Sequence, residues 1–485
     1  MGEIKKQSIS NTFFSYIGAL LGFLIIYFQP RFISSTDIGL IRLLYSFGWM
    51  LAIIMPLGMN SVTMRYFPRI RDIDSKHHGF FGLIILFGIV GSIIVAGIAL
   101  IFKSHIVEYY SNSPELSNYL PEALCLASIY GFINLLTIYS SSLFKSTFPV
   151  FLNDVFTRLG NILIILLYAS SLINTDELVL YYISIFVLQL IFLGIYLLLH
   201  RAVSFKIDWR FYKSLPLRSI LTFSGVMMLT SFASLGIKYI DQLMIGHYLN
   251  SSMVGVYATS VMICAIMEIP FNSLDRISTP KISEAWHQNN EFEVSKIYEM
   301  SSRYMYFLGA IMFLLLASGL DLIYSYLPSE YLKGKNAFLF AAVSSLLNLL
   351  TGVNSGVIMY SKKYYVGSFF LLILIVVAWV SNSILIEKYG ITGAAISTLL
   401  AIGVFNVLKY IYILKVFKMQ PFTIHTIRIT LILLAILTVI ITLPSNQPWI
   451  KAIIGSLITL VAFFIANRQY GIIPEINALY KKIIR

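Results

Sequence analysis

The stretch FFGLIILFGIVGSIIVAGIALIF, Phe80–Phe102, runs for 23 residues without a charge. A helix of that length is about 34 Å long, enough to cross about 30 Å of hydrocarbon. Backbone without helical pairing could not make that crossing, because its polar groups would go unsatisfied. Thirteen further stretches read the same way. With it they form 14 candidate spans: 10–30, 38–60, 79–102, 118–144, 148–172, 177–200, 217–246, 252–274, 302–327, 336–360, 364–386, 391–414, 425–443 and 448–466. The whole chain is 58% hydrophobic and 12% charged over 485 residues. That composition is far from the roughly 25% charge of soluble domains and excludes a cytosolic enzyme, a disordered scaffold and a disulfide-rich secreted module. The sequence predicts an all-α polytopic membrane protein with thin connections and no soluble domain. The first apolar stretch lacks a small-x-small cleavage site and reads as the first membrane helix.

The formal charge is +13, from 35 Lys+Arg against 22 Asp+Glu. Placing the N-terminus in the cytoplasm puts 25 basic residues on that side, 6 on the other and 4 inside spans. Positive residues collect in cytoplasmic loops, so both termini are expected there, in a bacterial inner membrane. The basic surplus is then topology and calls for no nucleic acid. Cys125 and Cys264 both lie in apolar segments, so no metal site or other cofactor is expected. No Gly-x4-Gly-Lys-Ser/Thr pattern is present, so no ATPase in this chain drives its work.

An internal repeat organises the spans. Asp37-Ile-Gly39-Leu-Ile41, Pro56 and Phe67-Pro68-Arg69-Ile70 recur as Met253-Val-Gly255-Val-Tyr257, Pro270 and Thr279-Pro280-Lys281-Ile282, with offsets between 212 and 216. Both copies run in the same direction across the membrane, which makes the repeat parallel. The expected plan is a six-helix lobe over 1–200, a cytoplasmic linker over 201–216, a second six-helix lobe over 217–416, and two added helices with a tail over 417–485. Proline inside both second helices predicts kinks with freed carbonyls able to face a cavity.

Three motifs carry a family resemblance. Asp241-Gln-Leu-Met-Ile-Gly246-His-Tyr-Leu-Asn-Ser-Ser-Met-Val-Gly255-Val-Tyr257 resembles the junction of the seventh and eighth helices of polysaccharide (O-antigen, capsule or exopolysaccharide) flippases. These form part of the multidrug/oligosaccharidyl-lipid/polysaccharide exporter superfamily. Pro328-Ser-Glu-Tyr331 and Tyr389-Gly390-Ile-Thr-Gly393-Ala-Ala-Ile-Ser-Thr398 resemble the same family. The resemblance implies a V-shaped pair of lobes working by alternating access. Its implied cargo is an oligosaccharide on a polyprenyl diphosphate, moved from the inner to the outer leaflet, alongside other polysaccharide-assembly proteins. Two other readings stay open. A cation-coupled multidrug antiporter of the same superfamily usually has twelve spans. A polysaccharide polymerase or ligase would need a large periplasmic loop bearing catalytic residues, so the expectation is a transporter without enzymatic activity.

Ionisable groups inside a membrane are functional candidates. Arg42 either snorkels outward or faces the cavity. Arg158 follows Asp154 by four positions, so the two form either a local salt bridge or a cavity-facing cluster. Lys238 and Asp241, three apart, are expected to share a cavity face. Arg42, Arg158 and Lys238 are thus the candidate cations for a diphosphate. Glu268, two residues before Pro270, is a candidate for coupling to a proton or Na⁺ gradient, or else a structural carboxyl; the membrane potential is a third source of drive. Lys409 is expected to snorkel, and Asp321 to be wet. Gly18 and Gly22 have the spacing of close helix packing.

Overall fold

The computed structural model describes residues 2–72, 75–199, 203–444 and 447–475. Arg201 and the tail cations Lys481, Lys482 and Arg485 lie outside the described residues. The described residues contain helices and no strand. In chain order, the first unit carries α1 (Gly2–Phe32), α2 (Ser35–Ile54), α3 (Met59–Ile70), α4 (Phe80–Ile101), α5 (Leu120–Ser142), α6 (Thr157–Ala169), α7 (Thr175–Leu199) and α8 (Leu217–Tyr248). Then follow α9 (Ser251–Cys264), α10 (Glu268–His287), α11 (Glu291–Ser325), α12 (Lys335–Leu350), α13 (Asn354–Met359), α14 (Tyr364–Tyr389), α15 (Ile391–Tyr412), α16 (Ile424–Thr442) and α17 (Pro448–Tyr470). The chain divides into two compact units, Met1–Ala258 and Thr259–Arg485, with the division falling inside α9. The seventh long helix, α8, therefore packs with the first unit, against α2.

Thirteen helices among the described residues are long and apolar enough to span a membrane. The remaining expected span, the tenth (336–360), is broken. Its α12 segment has 16 residues, about 24 Å of helix, too short to cross alone. A turn at 351–353, with Gly352 at φ +59°, separates it from α13.

Both proline-bearing second helices are interrupted. α2 stops at Ile54, and Leu57 and Gly58 take positive φ (49° and 76°) before α3 begins. Pro56 cannot donate to the ladder, so the helix yields there. Within the interruption, the Leu57 carbonyl accepts from Ser224 Oγ at 2.5 Å. In the second copy, a tight 3₁₀ turn over Ala265–Met267 precedes Pro270.

The two copies of the repeated motif touch within the first unit. A methyl built on Gly39 would overlap the Ser251 carbonyl and lie 3.1 Å from Gly255 N. One built on Gly255 would overlap the Ser35 carbonyl and lie 3.1 Å from Gly39 N. Ser35/Ser251 and Gly39/Gly255 are both 216 residues apart. The contact is thus self-complementary, as at a two-fold axis. Ser35 Oγ meets Ser252 Oγ at 2.7 Å beside it.

The 203–213 connection is anchored rather than free. Gly82 N donates to Ser204 O (3.1 Å) and Asp208 N to His78 O (3.1 Å). The His78 ring stacks on Phe211 with centroids 3.7 Å apart. Asp208 caps the short helix Trp209–Lys213 through Phe211 N, at 3.2 Å.

Candidate functional site

On α2, Arg42, Tyr45 and Trp49 fall at i, i+3 and i+7, one face of the helix. Three other helices of the same unit bring rings to that face. Tyr130 of α5 stacks on Trp49 (4.9 Å between centroids, planes 15° apart), and Tyr239 of α8 lies nearly parallel on it at 6.5 Å. Tyr45 meets Tyr130 and Tyr239 edge-on, each at 5.8 Å. Phe186 and Tyr182, one turn apart on α7, close the cluster behind Tyr130, and the Tyr130 and Tyr182 hydroxyls meet at 3.4 Å. Gly48 makes room for this arrangement, since a methyl there would sit 3.2 Å from the Tyr130 ring. Edge and offset ring contacts of this kind add about 0.5–1.5 kcal/mol each beyond burial.

Two sequence-predicted cations converge on this cluster. The charges of Arg42 and Arg158 both act on the Tyr45 hydroxyl, and Arg42 also acts on that of Tyr182. Arg158 is aimed by α1. Its Nη1 donates to the Gly18 carbonyl, and the guanidinium occupies the notch left by Gly22, where a Cβ would lie 2.8 Å away. Gly18 and Gly22 therefore make a seat for Arg158 as well as a helix contact.

Asp154 and Arg158 take separate partners. Asp154 accepts from Ser15 Oγ at 2.7 Å, and no ion pair joins it to Arg158 among the described residues. Both residues nonetheless pack against α1, at Gly18 and Gly22, where each finds a different partner. Asp241 is buried and accepts from Tyr257 Oη at 2.6 Å, whereas Lys238 is exposed. Residues three apart on a helix differ by about 60° in direction, enough here to give the two different burial. Glu268 opens α10 and is exposed.

Two other charges differ from their expected settings. Asp321 is held by both Lys335 and Lys451, the latter at 2.8 Å, and its side chain is 11% exposed. Lys409 does not snorkel: it is 2% exposed.

The family-like segment at the α8–α9 junction is a clasp. Ser113 Oγ donates to Gly246 O and Asn112 Nδ2 to His247 O, each at 2.7 Å. The His247 ring stacks on Tyr109 at 3.6 Å, and Ser251 Oγ donates to Glu115 at 2.7 Å. Ser46 Oγ donates to Gln242 at 2.8 Å. The aromatic cluster itself was not singled out from sequence. Its available signal was the i, i+3, i+7 spacing of Arg42, Tyr45 and Trp49.

Comparison with known proteins agrees with this architecture. The profile of a family described as polysaccharide biosynthesis protein matches residues 30–334. An uncharacterized membrane protein of Methanocaldococcus jannaschii is 22% identical over 437 residues, which is 84% of this chain and 83% of that protein. Among solved structures, the lipid II flippase MurJ in an inward closed conformation superposes with a TM-score of 0.74 at 16% identity, over 95% of this chain and 99% of that one. An inward-facing multidrug resistance MATE family transporter of the MOP superfamily superposes with a TM-score of 0.63 at 14% identity, over 85% and 94%. The chain has the MurJ/MATE-like transporter fold, and these structural neighbours are transporters rather than enzymes.

Proposed function

The chain belongs to the polysaccharide biosynthesis protein family, and from that premise we propose that it is a flippase. It carries a polyprenyl-diphosphate-linked oligosaccharide from the cytoplasmic to the outer leaflet by alternating access, with both termini in the cytoplasm. The headgroup of such a lipid cannot cross about 30 Å of hydrocarbon unaided, while its tail can stay in the bilayer. The protein must therefore supply planar apolar faces for sugar rings and fixed cations for phosphate oxygens.

The observation that supports this reading is the convergence of Arg42 and Arg158 on the Tyr45–Trp49–Tyr130–Tyr239 cluster. Guanidinium forks match phosphate geometry, and aromatic faces suit the C–H faces of sugars. An antiporter of organic cations would want carboxylates where these guanidiniums lie.

The test is reconstitution into proteoliposomes with a fluorescent polyprenyl-diphosphate oligosaccharide, reading its transfer between leaflets. Wild type should translocate it. Arg42→Ala and Arg158→Ala should each slow transfer roughly 10- to 150-fold, the worth of a hydrogen bond to a charged group at about 1.5–3 kcal/mol. Trp49→Ala should raise the concentration needed for half-maximal rate. Wild-type vesicles that exchange organic cations but leave the labelled lipid in place would overturn the proposal.

A further inference from the structure

The break in the tenth span surrounds a buried lysine. Lys409, near the end of α15, is 2% exposed. Its Nζ donates to Asn354 Oδ1 at 2.7 Å and to Ser355 Oγ at 3.1 Å, both at the start of α13. The Phe405 ring covers it from one turn away, 3.8 Å from Nζ to centroid. Two oxygen acceptors and a ring face are three partners for three N–H donors, the valence of an ammonium.

The network continues inward with one polarity. Asn354 Nδ2 donates to Asn406 Oδ1 at 2.9 Å, and Asn406 Nδ2 donates to Asn348 Oδ1 at 3.4 Å. Thr351 Oγ1 adds a second donor to Asn406 Oδ1 at 3.0 Å. Each amide thus presents its oxygen toward the lysine and passes a donor onward, an orientation that strengthens acceptance at Asn354. The turn itself is fixed by Ser302 Oγ on the Leu350 carbonyl (2.6 Å) and by Ser301 Oγ, which accepts from Val353 N (3.3 Å).

Among the described residues no ion pair reaches the lysine. α12, α13, α14 and the π turn Ile413–Phe417 pack against α15. Their charged groups are Lys335, bound to Asp321, Glu387 and Lys388 at the far end of α14, and the exposed Lys415; Lys362 and Lys363, in the turn before α14, are also exposed. Glu387 is separated from Lys409 by most of the length of α15, about 27 Å. The tyrosines of these elements, Tyr364, Tyr365, Tyr389, Tyr410 and Tyr412, make no hydrogen bond to Lys409 among the described residues.

A buried charge without a partner of opposite sign persists only while its hydrogen bonds are complete. Two of the three contacts belong to α13, a segment already separated from α12 by the break. Ser355 is exposed, so Nζ lies one hydroxyl from the surface.

We propose that Lys409 is a proton-binding site whose charge is held by α13, so that release of the proton and displacement of residues 354–359 are one event. The N–H bond that breaks gives its proton to water at Ser355 Oγ, and the neutral amine, with two donors and a lone pair, no longer fits three acceptors. The proposal is independent of which substrate is carried.

Hydrogen exchange of the 348–358 segment in nanodiscs, with no substrate present, tests it directly. Protection is taken relative to intrinsic exchange. In wild type, protection should fall as pH is raised across the scanned range, by up to about tenfold per pH unit for one proton. Lys409→Met should abolish the pH dependence. Asn354→Asp, which sets a carboxylate beside the ammonium, should keep the segment protected throughout that range. A pH-independent wild type overturns the proposal, as does a wild-type profile in either variant. Should Lys409→Met fail to fold, the wild type and Asn354→Asp still decide.

Discussion

The self-complementary contact at Gly39 and Gly255 yields a prediction with a built-in check. Gly39→Ala places a methyl into the Ser251 carbonyl and 3.1 Å from Gly255 N, both backbone atoms. No side chain can swing aside to absorb it, so the two helix starts must separate. Overpacking of this kind costs about 1–3 kcal/mol. If the contact exists in one conformation of a transport cycle and opens in another, the penalty falls on one state alone. The population of that state then drops roughly 5- to 150-fold. Ser35 Oγ and Ser252 Oγ lie 2.7 Å apart, which makes Ser35→Cys with Ser252→Cys a reporter of contact. It would be placed in a background with Cys125→Ser and Cys264→Ala. Oxidative cross-linking should slow by that factor in Gly39→Ala. Because Gly255→Ala meets the Ser35 carbonyl and Gly39 N in the same way, it should slow cross-linking to a similar extent. The double variant should add little, since one separation relieves both overlaps. Gly97→Ala, with nothing within 4 Å of the new methyl, should leave the rate unchanged. Cross-linking at the parental rate in Gly39→Ala would refute the state-specific contact. A difference above about tenfold between the two single variants would refute its two-fold character.

Two smaller predictions concern stability. Asp321→Asn should destabilise by about 2–4 kcal/mol, seen as an earlier midpoint of thermal unfolding in detergent, because Lys451 is left charged at 13% exposure. Asp321→Leu with Lys451→Met should recover most of that loss, since the cost comes from the unpaired charge and not from the missing bridge. The Asp208 carboxyl is held below its usual range, first by the Phe211 N–H and also by His78. A depressed folded pKa means the stabilisation is full above the ordinary carboxylate value and fades as pH falls through the lower folded one. Exchange protection of 203–213 should therefore weaken in acid, and Asp208→Asn should remove that acid sensitivity.

The membrane class and most spans were legible because uninterrupted apolar runs have few alternative readings. The tenth span misled because its break is not written in hydropathy. Thr351-Gly352-Val353-Asn354-Ser355-Gly356 is a cluster short enough to sit inside a span-length stretch, and what fixes the turn is distant in sequence, at Ser301, Ser302 and Asn406. Spacing put Asp154 and Arg158 on one side of their helix, and both pack against α1, but the partner each takes there, Ser15 Oγ or the Gly18 carbonyl, lies far away in sequence. Lys238 and Asp241 differ in burial because a helix surface turns from buried to exposed within about 60°. The aromatic cluster was hidden by abundance. Among 31 Tyr and 35 Phe, the i, i+3, i+7 spacing of Arg42, Tyr45 and Trp49 marks one helix face but not the rings that three other helices bring to it.

The repeat explains why the two halves carry different chemistry. Duplication supplies two equivalent frames, and the equivalence survives where backbones touch: at Gly39 and Gly255, and at the proline-broken helices. Side chains at matched positions have diverged. Arg42 corresponds to Ala258, so the guanidinium cluster has no copy in the second half. With the 212–216 offset, Lys409 corresponds to the span from Leu193 to Leu197, and both of those leucines are fully buried in the apolar core with Phe67, Phe80 and Tyr139. An ammonium in that core would have no acceptor and would cost several kcal/mol. A break and its asparagines had to be present in the second half before a lysine was tolerable there. The phosphate recognition proposed for one half and the proton binding proposed for the other are therefore separable by mutation. Loss of Arg42 or Arg158 should leave the pH response of 348–358 intact, and loss of Lys409 should leave the aromatic cluster and its two guanidiniums in place.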